Sequence, residues 1–293
     1  MPVSNRRHTY SRLTPPLKWH GGKYYLATKI VALMPPHVHY VEPYAGGLSV
    51  LLARDPADRR LWVADTGERC GASEVVNDVD RLLTNFWRVL QDDETFARFH
   101  RRLEATPLSF VEWGDARRQV LDGGADPVAA AIAFFVHCRQ SMAGRREQFT
   151  PLTKNRLRRG VNADTSAWWS SIAGLAEVHA RLKYVVVDCR PALDVICRED
   201  TVTTLFYLDP PYLHETRANG AKEYGEHEMD DRQHAELLDT VRAVKGKVML
   251  SGYLSDMYDQ ALSDWNRHDF DLPNAASSSK SNGRETECVW TNY

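Results

Sequence analysis

The chain has 293 residues, of which 43% are hydrophobic, and a formal net charge of −2. This length is sufficient for one large α/β domain or for a catalytic domain with a smaller insertion. The charge excludes a histone-like basic coat but is compatible with a local basic face. No run approaches the roughly 20 apolar residues that a membrane span requires, and the polar amino terminus lacks the apolar stretch of a secretory signal. We therefore expect a cytoplasmic protein without membrane contact.

The five cysteines are scattered, odd in number and without a Cys-x-x-Cys pair. Reduced thiols that pack as small hydrophobic side chains fit this pattern better than a disulfide framework or a zinc site. The histidines show no ligand spacing either, so we expect no metal.

In chain order, a flexible tail over residues 1–14 precedes a Gly-rich turn that opens an amphipathic helix in PPLKWHGGKYYLATKIVALMP. The run HYVEP (39–43) predicts a short strand, and YAGGLSV after it predicts a tight glycine turn and a helix. A second strand, EVVND (74–78), leads into a helix with apolar residues at helical spacing.

Residues 93–182 show a different sequence pattern. They contain four helical patterns, no convincing strand and a basic run between the last two helices. Further strands are then expected at 182–188, 203–209, 247–251, 265–272 and 287–292, with helices between most of them. Strands that alternate with helices predict an α/β fold with a mostly parallel sheet of seven strands, covered on both faces. The linker PNAASSSKSNGRET before the last strand has no helical pattern, so we expect that strand to be antiparallel.

The strongest motif is LDPPY (208–212), at the carboxyl end of a predicted strand, where open α/β sheets place their ligands. An adenine amino nitrogen is a poor nucleophile because its lone pair is delocalised into the ring. The Asp209 carboxylate and the Pro210 carbonyl can each accept one of its N–H bonds and so aim the lone pair at a sulfonium methyl group. Pro211 makes the turn rigid, and Tyr212 offers a flat face on which an extruded base can stack. The alternative is a rigid Pro-Pro turn without chemistry.

The second motif is the glycine turn of VEPYAGGLSV (41–50). Gly46 and Gly47 let the backbone approach a ligand, and a helix amino terminus favours negative charge. Asp78, at the end of the next strand, is placed to accept hydrogen bonds from ribose hydroxyls. Alone, this turn is equally compatible with a purely structural role, and Asp78 with a helix N-cap.

In the order KWHGGKYYL, VEPYAGGLSV, NDVD, LDPPY, MLSGY and ECVWTNY, the chain resembles the Dam-type, alpha-group DNA adenine-N6 methyltransferases. The resemblance implies a Rossmann-like methyltransferase fold and site-specific methyl transfer from S-adenosylmethionine to a flipped-out adenine of double-stranded DNA. It also implies a catalytic domain over 15–92 and 183–293, with a helical, basic target-recognition insert over 93–182.

The resemblance assigns site roles to particular residues. The implied catalytic residues are Asp209, Pro210, Pro211 and Tyr212. Cofactor contacts are implied for Trp19, Lys23, Glu42, Pro43, Tyr44, Gly46, Gly47, Asp78 and Asp209, with Lys23 also near DNA and Lys18 near the active site.

Two positions depart from the family pattern. Leu48 stands where a third glycine is usual, and Pro191 stands where we expect an acidic residue near the cofactor's adenine, for which Asp188 or Arg190 are candidates to compensate.

The basic run predicts the DNA-binding face, because arginine suits both phosphate clamping and guanine readout. Its cations are Arg139, Arg145, Arg146, Lys154, Arg156, Arg158 and Arg159. Lys280 and Arg284, in the loop before the last strand, are weaker candidates for backbone contacts. The alternative is a solvated surface loop.

Two other functions remain open. One is amino methylation of another substrate, such as cytosine N4 or RNA, and the other is a catalytically degenerate DNA-binding relative. The chain length leaves no room for a nuclease domain, so we expect any restriction endonuclease to be a separate protein. A role in restriction–modification or as a phage orphan enzyme, as a monomer or weak dimer, fits these expectations.

Overall fold

The computed structural model describes residues 12–63, 72–123, 126–144, 146–213, 227–273 and 284–293. Most of the predicted tail over residues 1–14 lies outside this part of the chain. Within the described ranges, no helix is long and apolar enough to cross a membrane.

The first part of the chain alternates helices and strands. Its elements are α1 (Ala27–Leu33), β1 (His39–Glu42), α2 (Ser49–Ala53), β2 (Ser73–Asn77) and α3 (Arg81–Gln91). The N-cap of α3 is Asp80, whose carboxylate accepts hydrogen bonds from the backbone N–H groups of Leu82 and Leu83. These bonds satisfy two of the donors that the start of a helix leaves unpaired.

The middle of the chain is mostly helical. It contains α4 (Asp93–Glu104), α5 (Phe110–Asp122), α6 (Pro127–Gln140), a hairpin of β3 (Leu157–Arg158) and β4 (Val161–Asn162), α7 (Ala163–Ala173) and α8 (Leu175–Leu182). The sequence pattern predicted no strand here and one helix over α7 and α8. The two hairpin strands are two residues each, too short to show alternation, and the helix is divided at Gly174.

The last part returns to alternation. Its elements are β5 (Val185–Asp188), α9 (Ala192–Glu199), β6 (Thr204–Leu208), α10 (Asp231–Ala243), β7 (Lys247–Tyr253), α11 (Asp256–Ala261), β8 (Asn266–Pro273) and β9 (Arg284–Thr291). These strands join β1 and β2 in one sheet of seven strands, in the order β5-β2-β1-β6-β7-β9-β8.

The pairings confirm the predicted fold class. β5, β2, β1, β6 and β7 pair in parallel, whereas β9 is antiparallel to both β7 and β8. This is a mostly parallel α/β sheet with an antiparallel last strand, consistent with a Rossmann-like methyltransferase fold. After β1, the next strands β2 and β5 are added on one side of the sheet, and after β6 the next strand β7 is added on the other side. The carboxyl ends of β1 and β6 therefore form the switch point at which such sheets bind ligands.

The middle helices share a hydrophobic core with the sheet helices. Phe86 of α3 lies with its ring centroid 5.9 Å from that of Phe135 and 6.1 Å from that of Phe134, both on α6. All three are fully buried in one cluster that also contains residues of β1 and α2. The predicted boundaries at residues 92/93 and 182/183 fall at the ends of α3 and α8, and the division into catalytic domain and recognition insert stays a prediction.

Candidate active site

A cavity of about 730 Å³ lies at the carboxyl ends of β1, β2 and β6. This volume is within the range of sites that enclose a small molecule. The structure brings all the residues with predicted cofactor contacts to its wall, namely Trp19, Lys23, Glu42, Pro43, Tyr44, Gly46, Gly47, Asp78 and Asp209. They come from four separate segments of the chain, and their assembly at one place is a product of the sheet topology.

The turn after β1 is built around two residues with positive φ. Gly46 has φ +46°, and a side chain there would meet the Trp19 indole, since an added Cβ would be 2.8 Å from Nε1. Leu48 has φ 56° and ψ 32°, the left-handed conformation that glycine favours. Its side chain is fully buried in the core and is not part of the cavity wall. Leu48 therefore keeps the backbone path of a glycine without narrowing the cavity.

Asp78 closes the other side of this turn. Its Oδ2 accepts a hydrogen bond from the Gly46 backbone N–H at 2.9 Å, and its Oδ1 accepts one from the Asp80 N–H at 3.0 Å. Burial raises the pKa of the Asp78 carboxyl to about 6. The N-cap of α3 is Asp80, not Asp78, so the Asp78 carboxylate fixes the glycine turn and faces the cavity.

Asn77 is a buried residue of the site that the motif analysis did not single out. Its Nδ2 donates to the carbonyls of Pro43 at 2.9 Å and Arg190 at 3.0 Å, and its Oδ1 accepts from the Arg190 N–H at 2.8 Å. One amide thus joins the segments that follow β1 and β5. The only sequence signal for this role is its position at the end of a strand, next to Asp78.

Asp209 lies at the end of β6 within a compact group of polar side chains. Its Oδ1 is 2.7 Å from the Lys23 Nζ and 3.4 Å from the Tyr212 hydroxyl. Burial raises the pKa of Asp209 to about 6; the Lys23 ammonium opposes this shift and the nearby Glu287 carboxylate adds to it. Lys23 also donates to the Gly21 carbonyl at 2.9 Å.

Tyr212 is 7% exposed. The Lys23 Nζ lies 4.7 Å from its ring centroid, and the Tyr253 ring meets it edge-on at 4.5 Å. Its hydroxyl donates to Glu287 Oε1. The predicted stacking of a base on Tyr212 stays a prediction, and Glu287 is a second residue of this site that the motif analysis did not single out.

Glu42, at the end of β1, is fully buried. It accepts a hydrogen bond from the Tyr40 hydroxyl at 2.6 Å. The pKa of Glu42 is raised to about 8. Burial is the largest cause of this shift, and charge repulsion from Glu74 and Asp209 increases it.

The turn after β5 forms the remaining part of the wall. Asp188 does not line the cavity, because its carboxylate accepts hydrogen bonds from Arg198 at 2.6 Å, the Cys189 N–H at 2.8 Å and Arg190 at 3.2 Å. Pro191 precedes α9 and lines the cavity together with Arg190 and Asp194. The acidic group on this wall is therefore Asp194, in the first turn of α9, three residues beyond the position at which the family pattern suggested it.

The predicted DNA-binding residues occupy three kinds of position. Arg146 lines the cavity, with its guanidinium carbon 5.4 Å from the Trp19 ring centroid. Arg139 is partly buried and donates to the Ala167 carbonyl at 3.4 Å; desolvation lowers its pKa to about 10. Burial, with the charge of Arg139, also lowers the pKa of Lys18 to about 8.

The third group is exposed and consists of Lys154, Arg156, Arg158 and Arg159, in and before the β3–β4 hairpin. Arg145 and Lys280 lie outside the described residues, and Arg284 begins β9. The DNA contacts of all these residues stay predictions.

Comparison with known proteins agrees with this geometry. The family model of the D12 class N6 adenine-specific DNA methyltransferases matches residues 19–274. The chain is also similar to the Type II methyltransferase M1.LlaDCHI of Lactococcus lactis subsp. cremoris, with 24% identity over 305 aligned positions that cover 96% of each chain. With its cavity at the β1–β6 switch point and Asp-Pro-Pro-Tyr at the end of β6, the chain belongs to the D12 class of N6 adenine-specific DNA methyltransferases.

Proposed function

We propose that the enzyme transfers a methyl group from S-adenosylmethionine to N6 of an adenine that has left the helix of double-stranded DNA, at a specific sequence. The observation that carries this proposal is the position of Asp209. Its carboxylate ends the strand next to β1 and lines the same cavity as the glycine turn.

The residues around the cavity fit S-adenosylmethionine. An added side chain at Gly46 or Gly47 would approach Trp19 to 2.8 Å, so only glycine at these positions lets the turn pack against Trp19 in the cavity wall. The Glu42–Gly47 segment would hold the methionine end, the Asp78 carboxylate the ribose hydroxyls, and the Asp194 carboxylate the amino group of the cofactor's adenine. When bound, the cofactor supplies an electrophilic methyl group on a sulfonium.

The chain's own residues orient and activate the target amino group. Asp209 and the Pro210 carbonyl accept its two N–H bonds, which favours a pyramidal nitrogen with an available lone pair. The Lys23 ammonium, 2.7 Å from Asp209, favours the charged carboxylate that can accept these bonds. Because the nitrogen loses its proton after the methyl group has moved, no strong base is required.

The exposed cations of the hairpin suit the phosphate backbone of DNA. Each phosphate that a cation neutralises releases counterions, so affinity should fall steeply with salt. Replacement of Arg158 and Arg159 by Ala should weaken DNA binding at low salt and reduce the salt slope by about 1–2. An unchanged slope would place the DNA elsewhere on the molecule.

The test of the proposed reaction uses purified protein, methyl-labelled S-adenosylmethionine and unmethylated genomic DNA. Nucleoside analysis should find label in N6-methyladenine, and Asp209→Ala should lose activity by about 1000-fold or more while its melting temperature shows that it is folded. Titration calorimetry with S-adenosylmethionine checks the donor independently. The absence of binding heat would contradict the cofactor assignment, and full activity of Asp209→Ala would contradict the mechanism.

Long-read methylation sequencing of DNA from cells that express the protein would identify the target sequence.

A further inference from the structure

Glu287 reaches the active site from a distant part of the chain. It lies on β9, opposite Tyr253 of β7, and its side chain is 6% exposed. Its Oε1 accepts the hydrogen bond of the Tyr212 hydroxyl and lies 3.3 Å from the Lys23 Nζ. Glu287 therefore contacts two of the groups that surround Asp209.

Stability alone does not explain a second buried carboxylate at this place. Lys23 already has Asp209 at 2.7 Å and the Gly21 carbonyl at 2.9 Å. Removal of another charge from water is costly, and Asp209 and Glu287 repel each other. Residues that are unfavourable for stability and lie beside reacting groups are typical of functional sites.

We propose that Glu287 is a positioning residue that keeps the Asp209 carboxylate available to the target amino group by accepting the hydrogen bond of the Tyr212 hydroxyl. This inference rests on the proposed function. A hydroxyl has a single proton to donate. In the structure the hydroxyl is within hydrogen-bond distance of both carboxylates, but it lies much closer to Glu287 Oε1 than to Asp209 Oδ1, which is 3.4 Å away, so Glu287 is the main acceptor.

Among the residues that the structure describes, the carboxylate left beside the Tyr212 hydroxyl without Glu287 is that of Asp209, at 3.4 Å. A hydrogen bond from Tyr212 would then occupy an acceptor position of Asp209 and compete with the adenine amino group. Because the amino group needs that acceptor in the transition state, the loss should fall on kcat and not on binding of S-adenosylmethionine.

The decisive test is a rescue. Glu287→Met removes the acceptor and keeps a side chain of similar length; kcat should fall about tenfold, while calorimetry should give a Kd for S-adenosylmethionine within about threefold of wild type. Tyr212→Phe added to Glu287→Met removes the competing hydroxyl and should restore kcat by about threefold or more. A residue with a merely structural role would show no such rescue.

Glu287→Gln keeps a hydrogen-bond acceptor at position 287 but removes the negative charge of the carboxylate. The amide oxygen still accepts from Tyr212, so kcat at high pH should stay within about threefold of wild type. The charge near Asp209 is lost, and the acid limb of the pH–kcat profile should move to lower pH. The other titratable groups that face Asp209 are unchanged in this variant: Lys23, Glu42, Tyr207, Tyr212 and Tyr258.

Asp269→Asn is the matched control, because it removes a carboxylate from the neighbouring strand β8, where Asp269 pairs with Arg267 at 3.0 Å. It should leave kcat and the pH profile unchanged. An active wild type together with a fully active Glu287→Met variant would overturn this inference alone, as would a double variant that stays as slow as Glu287→Met. A wild-type enzyme that transfers no methyl group would overturn the proposed function instead.

Discussion

The indole nitrogen of Trp19 lies so close to Gly46 that a Cβ added to Gly46 would be 2.8 Å from it. Gly46 also has φ +46°, a backbone conformation that L side chains rarely adopt. Gly46→Ala should therefore displace Trp19 or the turn from its place at the cavity. We expect binding of S-adenosylmethionine to weaken about tenfold or more, as measured by titration calorimetry.

Gly123→Ala is the control for the backbone contribution. Gly123 has φ +70°, and nothing lies within 4 Å of an added Cβ. This variant should lose stability of about 1 kcal/mol and keep the wild-type affinity for the cofactor. Equal affinities of the two variants would show that contact with Trp19 has no part in the effect.

Local patterns predicted the sheet and the position of Asp209, because alternation of strands and helices and the end of a strand are properties of short segments. The same reasoning could not assign Leu48. A left-handed backbone at a leucine is stable here because the side chain is fully buried in the core, and burial depends on residues distant in sequence.

Long-range contacts also explain the residues that the motifs missed. Glu287 is 75 positions from Tyr212, its hydrogen-bond partner, and Asn77 is 113 positions from Arg190. Only the pairing of strands brings such residues together. The β3–β4 hairpin was missed for the opposite reason, since two-residue strands are too short to have a periodicity.

Asn77 should affect both stability and cofactor binding. Asn77→Ala breaks three hydrogen bonds to the segments after β1 and β5 and leaves the Pro43 and Arg190 carbonyls without this donor. We expect a loss of about 1–3 kcal/mol in the free energy of unfolding and about tenfold weaker binding of S-adenosylmethionine, because both segments line the cavity. Urea unfolding and titration calorimetry measure the two effects.

Asn292→Ala is the matched control for Asn77. Its side chain accepts from the Val248 N–H at 2.8 Å and donates to the Gly246 carbonyl at 3.1 Å, away from the cavity. It should reduce stability but not affinity. Unaltered cofactor binding in Asn77→Ala would show that Asn77, like Asn292, contributes to stability alone.

A buried ionic cluster lies at the end of the sheet opposite the cavity, and it should contribute to stability but not to activity. Glu74 accepts hydrogen bonds from Arg181 at 2.5 and 2.6 Å and also from Arg54, and all three side chains are at most 3% exposed. Glu74→Gln leaves two buried guanidinium charges without their counter-ion. We expect the free energy of unfolding to fall by about 3–5 kcal/mol.

Asp93→Asn provides the exposed comparison for Glu74. Asp93 forms an ion pair with Lys183 and a hydrogen bond with His179 Nε2 but is 78% exposed, so solvent screens the interaction and the loss should be much smaller than in Glu74→Gln. Equal losses in the two variants would contradict the distinction between buried and exposed pairs.

Glu42 should make the cofactor-free protein less stable as the pH rises. Burial raises its folded-state pKa to about 8 from an ordinary value of 4.5, so between these values the folded state binds the proton that the unfolded state has lost. Stability therefore falls with rising pH across this window and reaches its full loss above about 8.

Glu42→Gln keeps an acceptor for the Tyr40 hydroxyl and cannot ionise. Between pH 5.5 and 8.5 its free energy of unfolding should therefore rise by about 2–3 kcal/mol relative to that of wild type. Asp78 titrates in both proteins and cancels in the difference, whereas Glu42→Gln also removes the charge repulsion between Glu42 and Asp209. Urea unfolding at the two pH values measures the difference, and parallel losses in wild type and Glu42→Gln would show that Glu42 ionises as it does in water.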